Sequence, residues 1–497
     1  MVKPLLFLPI RQNRGFPLLL FIALLAFILA QPAKAESNPT DEYMPVAGLM
    51  DLRSTFSDGV HSIEEIVQMA ETRGFNVVFI SDHNRIALSY GIPPFRNILR
   101  YKKENPSIMT HGPDEYLREI EEVSRKYPHM IIIPGCVTST YYYWTGSWWT
   151  KDLTAHEYHR RILAVGLMEP QDYSHLPDLG NGWSLEYTRE LLPGLILFII
   201  PLIIGLILIR QKGFYRWLGL ILTIVSLLAI VDHHPFRSSL YDAYDGDQGI
   251  SPFQEMIDYV NQRGGLCFWN YPEQRSGIRK YGPIHLSTPP YPEALYQAKD
   301  YTGFSAIYGE NPTVTDPGKE WDKVLNEYCQ GKRTKPSWGI GTSEFHEDGR
   351  WGLKLGVYQT TLLVKDFSRE GVMEAVRSGR MYCSRGDGQT WPKLEYFNIY
   401  GEGEEKAFMG DALTTSRFPI VAFSVSDDAE KQRDKDTTID LIRGGTLINT
   451  FKGKPPMEIK YMDETVPPNE KTYYRLIDKK KHLTSNPIFV VYSPNRF

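Results

Sequence analysis

The chain has 497 residues, an ordinary apolar fraction of 42% and a formal net charge of −4. Near-neutral charge argues against a dedicated nucleic-acid binder, which is usually basic, and the length suggests about three structural units. The four cysteines, Cys136, Cys267, Cys329 and Cys383, form no C-x-x-C, which excludes a zinc ribbon or a thioredoxin-type motif. Cys136 and Cys267 lie in or beside apolar runs, where a buried thiol and a disulfide both remain open.

At the N-terminus, Lys3, Arg11 and Arg14 accompany an apolar run from Phe16 to Ala30, and Ala33-Lys34-Ala35 follows as a small-x-small cleavage pattern. That order predicts a secretory signal peptide over residues 1–35, with an uncleaved anchor as the alternative. A second apolar block, Leu191 to Ile209, carries no charge and is long enough to cross a hydrocarbon core of about 30 Å. Arg210, Lys212 and Arg216 follow, then a shorter apolar stretch from Trp217 to Val231. The cationic turn predicts a transmembrane helical hairpin over residues 191–231 with its turn in the cytoplasm. The alternative is a buried helical hairpin in a soluble core. The expected location is the inner (cytoplasmic) membrane, with membrane lipid as a partner and residues 36–190 and 232–497 facing the periplasm or exterior.

From about residue 46, strand-like runs alternate with helix patterns. Asn76 to Ile80, Met130 to Ile133, Ile162 to Val165, Leu266 to Trp269 and Trp338 to Ile340 read as buried strands. Ser62 with Glu65 forms a capping box for a helix ended by Gly74, and Ser251-Pro252 opens a helix that runs to Arg263. This alternation predicts an α/β fold with a parallel sheet, in parts over residues 36–190 and 232–390. In a barrel of this kind chemistry gathers at the C-terminal strand ends, and Ser81-Asp82-His83-Asn84 and Glu344-Phe345-His346 lie there. After a helix around Arg369 to Arg380, short strands with turn signals predict a β-sandwich over residues 391–497.

The stretch Asp51 to Gly59, ending Ser57-Asp58-Gly59, followed by Ser81-Asp82-His83, resembles the PHP (polymerase and histidinol phosphatase) signature H-x-H-x-x-x-S-D-G … T-D-H. Gly341-Thr342-Ser343-Glu344-Phe345-His346 is similar to that family's closing G-x-D-x-H. Asn486-Pro487-Ile488-Phe489-Val490 resembles the ending of a subgroup that includes carbamate-ester hydrolases. The resemblance implies a distorted (β/α)7 barrel, here interrupted by the hairpin, and a metal-dependent hydrolase.

The departures from the family pattern fall on its two-metal centre. Asp51 and Arg53 stand where the family has the two histidines of H-x-H, and guanidinium offers no lone pair. The bridging glutamate falls near Val137, a mid-barrel histidine near Arg161 (with His156 and His159 close by), and another histidine at Asn270. Asp58, His83 and His346 retain the ligand set of the remaining metal, and a carboxylate with two imidazoles suits zinc, manganese or iron. The resemblance thus implies one divalent metal at Asp58, His83 and His346, with Glu344 and Asp51 as candidate catalytic groups. The substrate class that the resemblance implies is a small phosphate or carboxyl/carbamate ester. Arg53 and Arg161 either pair with Asp51 and Glu344 or bind an anion. The competing expectation is a non-catalytic, PHP-derived envelope scaffold or ligand-binding module. The aromatic block Tyr141 to Trp149 lines a substrate cleft or rests against lipid headgroups.

Overall fold

A computed structural model describes residues 43–181, 183–350, 353–427 and 436–494. The signal-peptide segment lies outside the described residues.

Seven strands close into a barrel: β1 (Met44–Leu52), β2 (Val77–His83), β3 (Ile131–Thr138), β4 (Arg161–Val165), β5 (Leu266–Asn270), β6 (Gly303–Ile307) and β7 (Trp338–Phe345). They are hydrogen-bonded in chain order, and β7 pairs back onto β1 to complete the cylinder. Every residue of β2, β3, β5 and β6 is buried. That follows from apolar runs covered on both faces. The helix Ile63–Thr72 starts at a capping box in which the Ser62 hydroxyl accepts from the Glu65 amide at 3.2 Å and the Ser62 amide donates to Glu65 at 2.8 Å. Ile63, Ile66, Val67 and Ala70 recur at helical spacing and are buried in the barrel's main core.

One strand departs from the all-parallel expectation. β4 runs antiparallel to both β3 and β5. Between β3 and β4 the chain makes a β excursion, Tyr143–Thr145 and Thr154–His156, where a crossover helix would be needed to return in parallel. The reversal has a consequence for the site. The first residue of β4, Arg161, arrives at the mouth where the other strands end.

Two further β structures wall that mouth. Ile86–Gly91 pairs with Arg100–Asn105, and a four-stranded sheet joins Gly277–Tyr281, Ile284–Thr288 and the β3–β4 excursion. Two helices, Thr188–Leu208 and Phe214–Asp232, are long and apolar enough to cross a membrane. The second begins at Phe214, earlier than Trp217, so Arg216 sits in its first turn. Gly205 and Gly219 let the two helices touch, since a Cβ on Gly219 would lie 2.7 Å from the Gly205 carbonyl. Outward residues such as Leu197, Ile221 and Val231 are exposed.

On the open side of β1 the barrel sheet continues antiparallel through β8 (Tyr358–Val364) and β9 (Met381–Arg385) into the C-terminal region. There a four-stranded sheet containing Pro392–Tyr400 and Ile420–Asp427 shares one core with strands Thr437–Arg443 and Lys471–Asp478 of the continuing sheet. Short strands build this region, but one of its sheets is continuous with the barrel. Arg475 forms a buried bidentate pair with Asp322, at 2.8 and 2.7 Å, and Asn486 bonds both ways with Gly339 of β7. The four cysteines are free thiols.

Candidate functional site

The loop after β1 carries Asp58 and is folded back by its own backbone. The Ser57 and Gly59 amides both donate to the Ser54 carbonyl at 3.1 Å. A side chain at Gly59 would place Cβ 2.2 Å from the Arg53 carbonyl oxygen, so this turn requires glycine. Asp82, fully buried near the end of β2, ties the loop down. It accepts from the Ser54 amide at 2.8 Å and from the Ser54 and Ser57 hydroxyls at 2.6 Å. Burial pushes its carboxyl up, against those hydrogen bonds.

This loop sets Asp58 between the two histidines. Its carboxylate oxygens lie 3.7 Å from His83 Nε2 and 3.3 Å from His346 Nδ1, and Arg53 Nε stands 4.0 Å away. Burial alone would raise the Asp58 pKa. The hydrogen bond from His346 and the positive charge of Arg53 hold it far below the usual carboxylate range. His83 is driven well below the usual imidazole range by burial, then by the Arg161 and Arg53 charges. It is therefore a neutral imidazole at pH 7, the form that binds metal.

Donors to one tetrahedral cation sit roughly 3.3 Å apart. The Asp58–His346 distance matches that spacing, the Asp58–His83 distance to the other carboxylate oxygen is longer, and the donor chemistry suits a divalent ion. Among the described residues, no group of three His, Cys, Asp or Glu side chains is arranged to hold a metal ion. Binding one here would have to draw the three side chains together.

The other two sequence candidates face guanidinium groups. Asp51 and Glu344 both have left-handed backbone, φ 67° and 46°, on non-glycine residues. The register of β1 against β2 and β7 shifts at the same place, so a bulge turns these side chains into the barrel. Asp51 pairs with Arg53, and both are fully buried. It also accepts from Asn270 at 3.0 Å and from the Tyr271 hydroxyl. Ser305 and Thr342 extend the chain, Ser305 donating to Asn270 at 2.7 Å and Thr342 to Ser305 at 2.8 Å. Glu344 pairs with Arg161. Of the positions that depart from the family ligand pattern, Arg53 and Arg161 form ion pairs, Asn270 an amide contact, and Val137 lies in the apolar core.

Above Asp58 and His83 lies a cleft of about 530 Å³ lined by Lys103, Arg161, Arg279 and Lys280, with Tyr158 and His159. Burial and the adjacent Arg161 and Arg279 push His159 down to about 3, so its ring is neutral and adds no charge. Lys103, Arg279 and Lys280 come from the two β structures at the mouth, and no motif marks them in the sequence. His156 stays outside, stacked on Tyr143 and bonded to Thr145.

No family model and no curated protein matches the sequence. Among solved structures, the chain is similar to a two-domain protein from Bacteroides vulgatus ATCC 8482 described as containing a "predicted PHP-like metal-dependent phosphoesterase". The identity is 12%, with 88% of this chain and 91% of that one covered at a TM-score of 0.35. It is also similar to a candidate metal-dependent phosphoesterase from Bifidobacterium adolescentis ATCC 15703, at 15% identity over 62% and 90% of the two chains, TM-score 0.29. A third, an amidohydrolase from Chromobacterium violaceum, matches at 12% identity over 61% and 88%, TM-score 0.24. None of these descriptions names a carbamate-ester hydrolase. At these identities and TM-scores the likenesses assign no activity to this chain.

Proposed function

We propose that this chain is a membrane-anchored PHP-like hydrolase of phosphate or carboxyl/carbamate esters that works with one divalent metal. The observation that carries the reading is the meeting of Asp58 with His83 and His346 at the floor of a cationic cleft. Asp58, His83 and His346 would hold the metal. When bound, such an ion supplies Lewis acidity and brings the pKa of water toward about 7. The chain's own part is to bind and orient the anion. Arg279, Lys103 and Lys280 present positive charge over the floor, and Arg161 is fixed by its pair with Glu344. Asp51, held by Arg53, Asn270 and Tyr271, stiffens the barrel mouth rather than acting as a free base. The apolar hairpin supports anchoring, with the barrel and C-terminal region on the extracytoplasmic side as the cationic turn predicts.

The test is hydrolysis of p-nitrophenyl phosphate and p-nitrophenyl acetate by the full chain, with manganese or zinc added and with chelator. Turnover that chelator abolishes and that falls at least 100-fold in His83→Ala is expected. Turnover indifferent to both would refute the reading.

A second reading rests on a specific observation: Arg53 and Arg161 pair with Asp51 and Glu344. In that reading the chain is a metal-free, PHP-derived module that binds an anion without cleaving it. Phosphate binding to chelated protein, with no turnover of either ester, would favour it.

A further inference from the structure

Beside the cationic cleft lies a second cavity of about 620 Å³, and its chemistry is the opposite. Its walls include Tyr90, Trp144, Trp148, Trp149, Leu153 and Ile284, and Lys103 is its single charged lining residue. Leu88, Lys103 and Tyr281 line both cavities. The Lys103 ammonium lies 4.4 Å from the Tyr281 ring centre, so the two side chains form one partition. The volume is in the range, about 300–1,000 Å³, that buries most of a small ligand. Tyr142 and Leu153, both buried, pack the chamber from behind, and Tyr142 bonds the Ser89 amide at 3.0 Å.

The chamber is also joined to the apolar hairpin. Ile92 and Pro93 on its rim belong to the loop that closes at Gly91. Further along that loop, the Asn97 and Ile98 amides donate to Asp232, the last residue of the second apolar helix, at 2.8 and 3.0 Å. Trp149 and Tyr101 at the opening are 90% and 75% exposed. Interfacial aromatics of this kind suit a boundary between water and lipid.

We propose that the ligand of this site is a single-chain anionic amphiphile, its phosphate-class head in the cationic cleft and its hydrocarbon tail in the aromatic chamber. This deepens the hydrolase reading by naming the substrate class, and it rests on that reading only for the cleavage step. A head without a tail leaves the chamber empty, and a tail without a head leaves Lys103, Arg279 and Lys280 facing no anion in the cleft. A protein segment in the chamber would not explain why the chamber shares Leu88, Lys103 and Tyr281 with the cleft.

The experiment measures binding, separately from turnover. The full chain, in nanodiscs of zwitterionic lipid, is titrated with inorganic phosphate, butyl phosphate, octyl phosphate and octanol. Tryptophan fluorescence and calorimetry are read against empty nanodiscs. Each methylene buried in the chamber tightens binding by up to about fourfold, so octyl phosphate should bind at least tenfold tighter than butyl phosphate. Trp144→Ala and the exposed-site variant Trp148→Ala should each shrink that ratio severalfold, and Arg279→Ala should weaken both phosphates while leaving their ratio standing. Equal affinity for butyl and octyl phosphate would overturn the proposal. So would octanol binding as tightly as octyl phosphate. Chain-length-dependent binding without hydrolysis would sink the hydrolase reading and leave this inference intact.

Discussion

At the residue scale, the site is governed by which charges are matched inside the barrel. Arg53 is fully buried, and its Nε and one terminal nitrogen have no hydrogen-bond partner. Breaking a buried ion pair by removing one partner costs about 3–5 kcal/mol, so Asp51 is held in place as the counter-charge of Arg53. A second buried carboxylate makes a pH prediction. Asp178 accepts from Thr138 at 2.7 Å, yet burial pushes its carboxyl from 3.8 up to about 7. The folded protein therefore holds a proton there that the unfolded chain has released between about pH 4 and 7. Its contribution is complete below pH 4 and is lost as pH rises toward 7, by up to about 4 kcal/mol. Melting curves taken from pH 4 to 8 should show this decline in the unaltered protein and a flatter profile in Asp178→Asn. Parallel profiles for the two would contradict the assignment.

At the scale of elements, the site depends on a loop and a reversed strand. Because the Gly59 turn has no room for a Cβ against the Arg53 carbonyl, Gly59→Ala must shift backbone that also positions Asp58. The expected cost is roughly 1–3 kcal/mol, measured as a lowered melting temperature, together with weaker metal binding. An unchanged melting temperature would show the turn to be slack. The capping box at Ser62 and the main strand runs were legible from residue spacing, since local chemistry decides them, and Ser57-Asp58-Gly59 was marked only by its resemblance to the PHP signature. The direction of β4 was not legible. It depends on the excursion 143–156 forming strands instead of a helix, and strict alternation of strand and helix signals hides that. The positive φ at Asp51 and Glu344 was equally hidden, because ordinary side chains adopt it only where tertiary contacts impose it. Lys103 and Arg279 carried no signal, being exposed-looking cations on short hairpins that turn inward only when the mouth is assembled.

Across the described residues, a barrel, an apolar hairpin and a β-rich C-terminal region are joined by a continuous sheet and by specific polar links. The Asp322–Arg475 pair and the Asn486 bonds fix the C-terminal region to the barrel, and the Asp232 cap fixes the hairpin to the loop beside the aromatic chamber. That arrangement places a cationic cleft and an apolar chamber next to one another at the barrel mouth. The central proposal, however, is local: Asp58, His83 and His346 would hold one divalent cation. The most direct measurement is calorimetric titration of chelator-stripped full chain with manganese and zinc, checked by elemental analysis of the dialysed protein. The account predicts one saturable site per chain, lost in His83→Ala and in His346→Ala while both variants keep their melting temperature within a few degrees. Absence of saturable binding by folded protein, or binding that survives both substitutions, would contradict it.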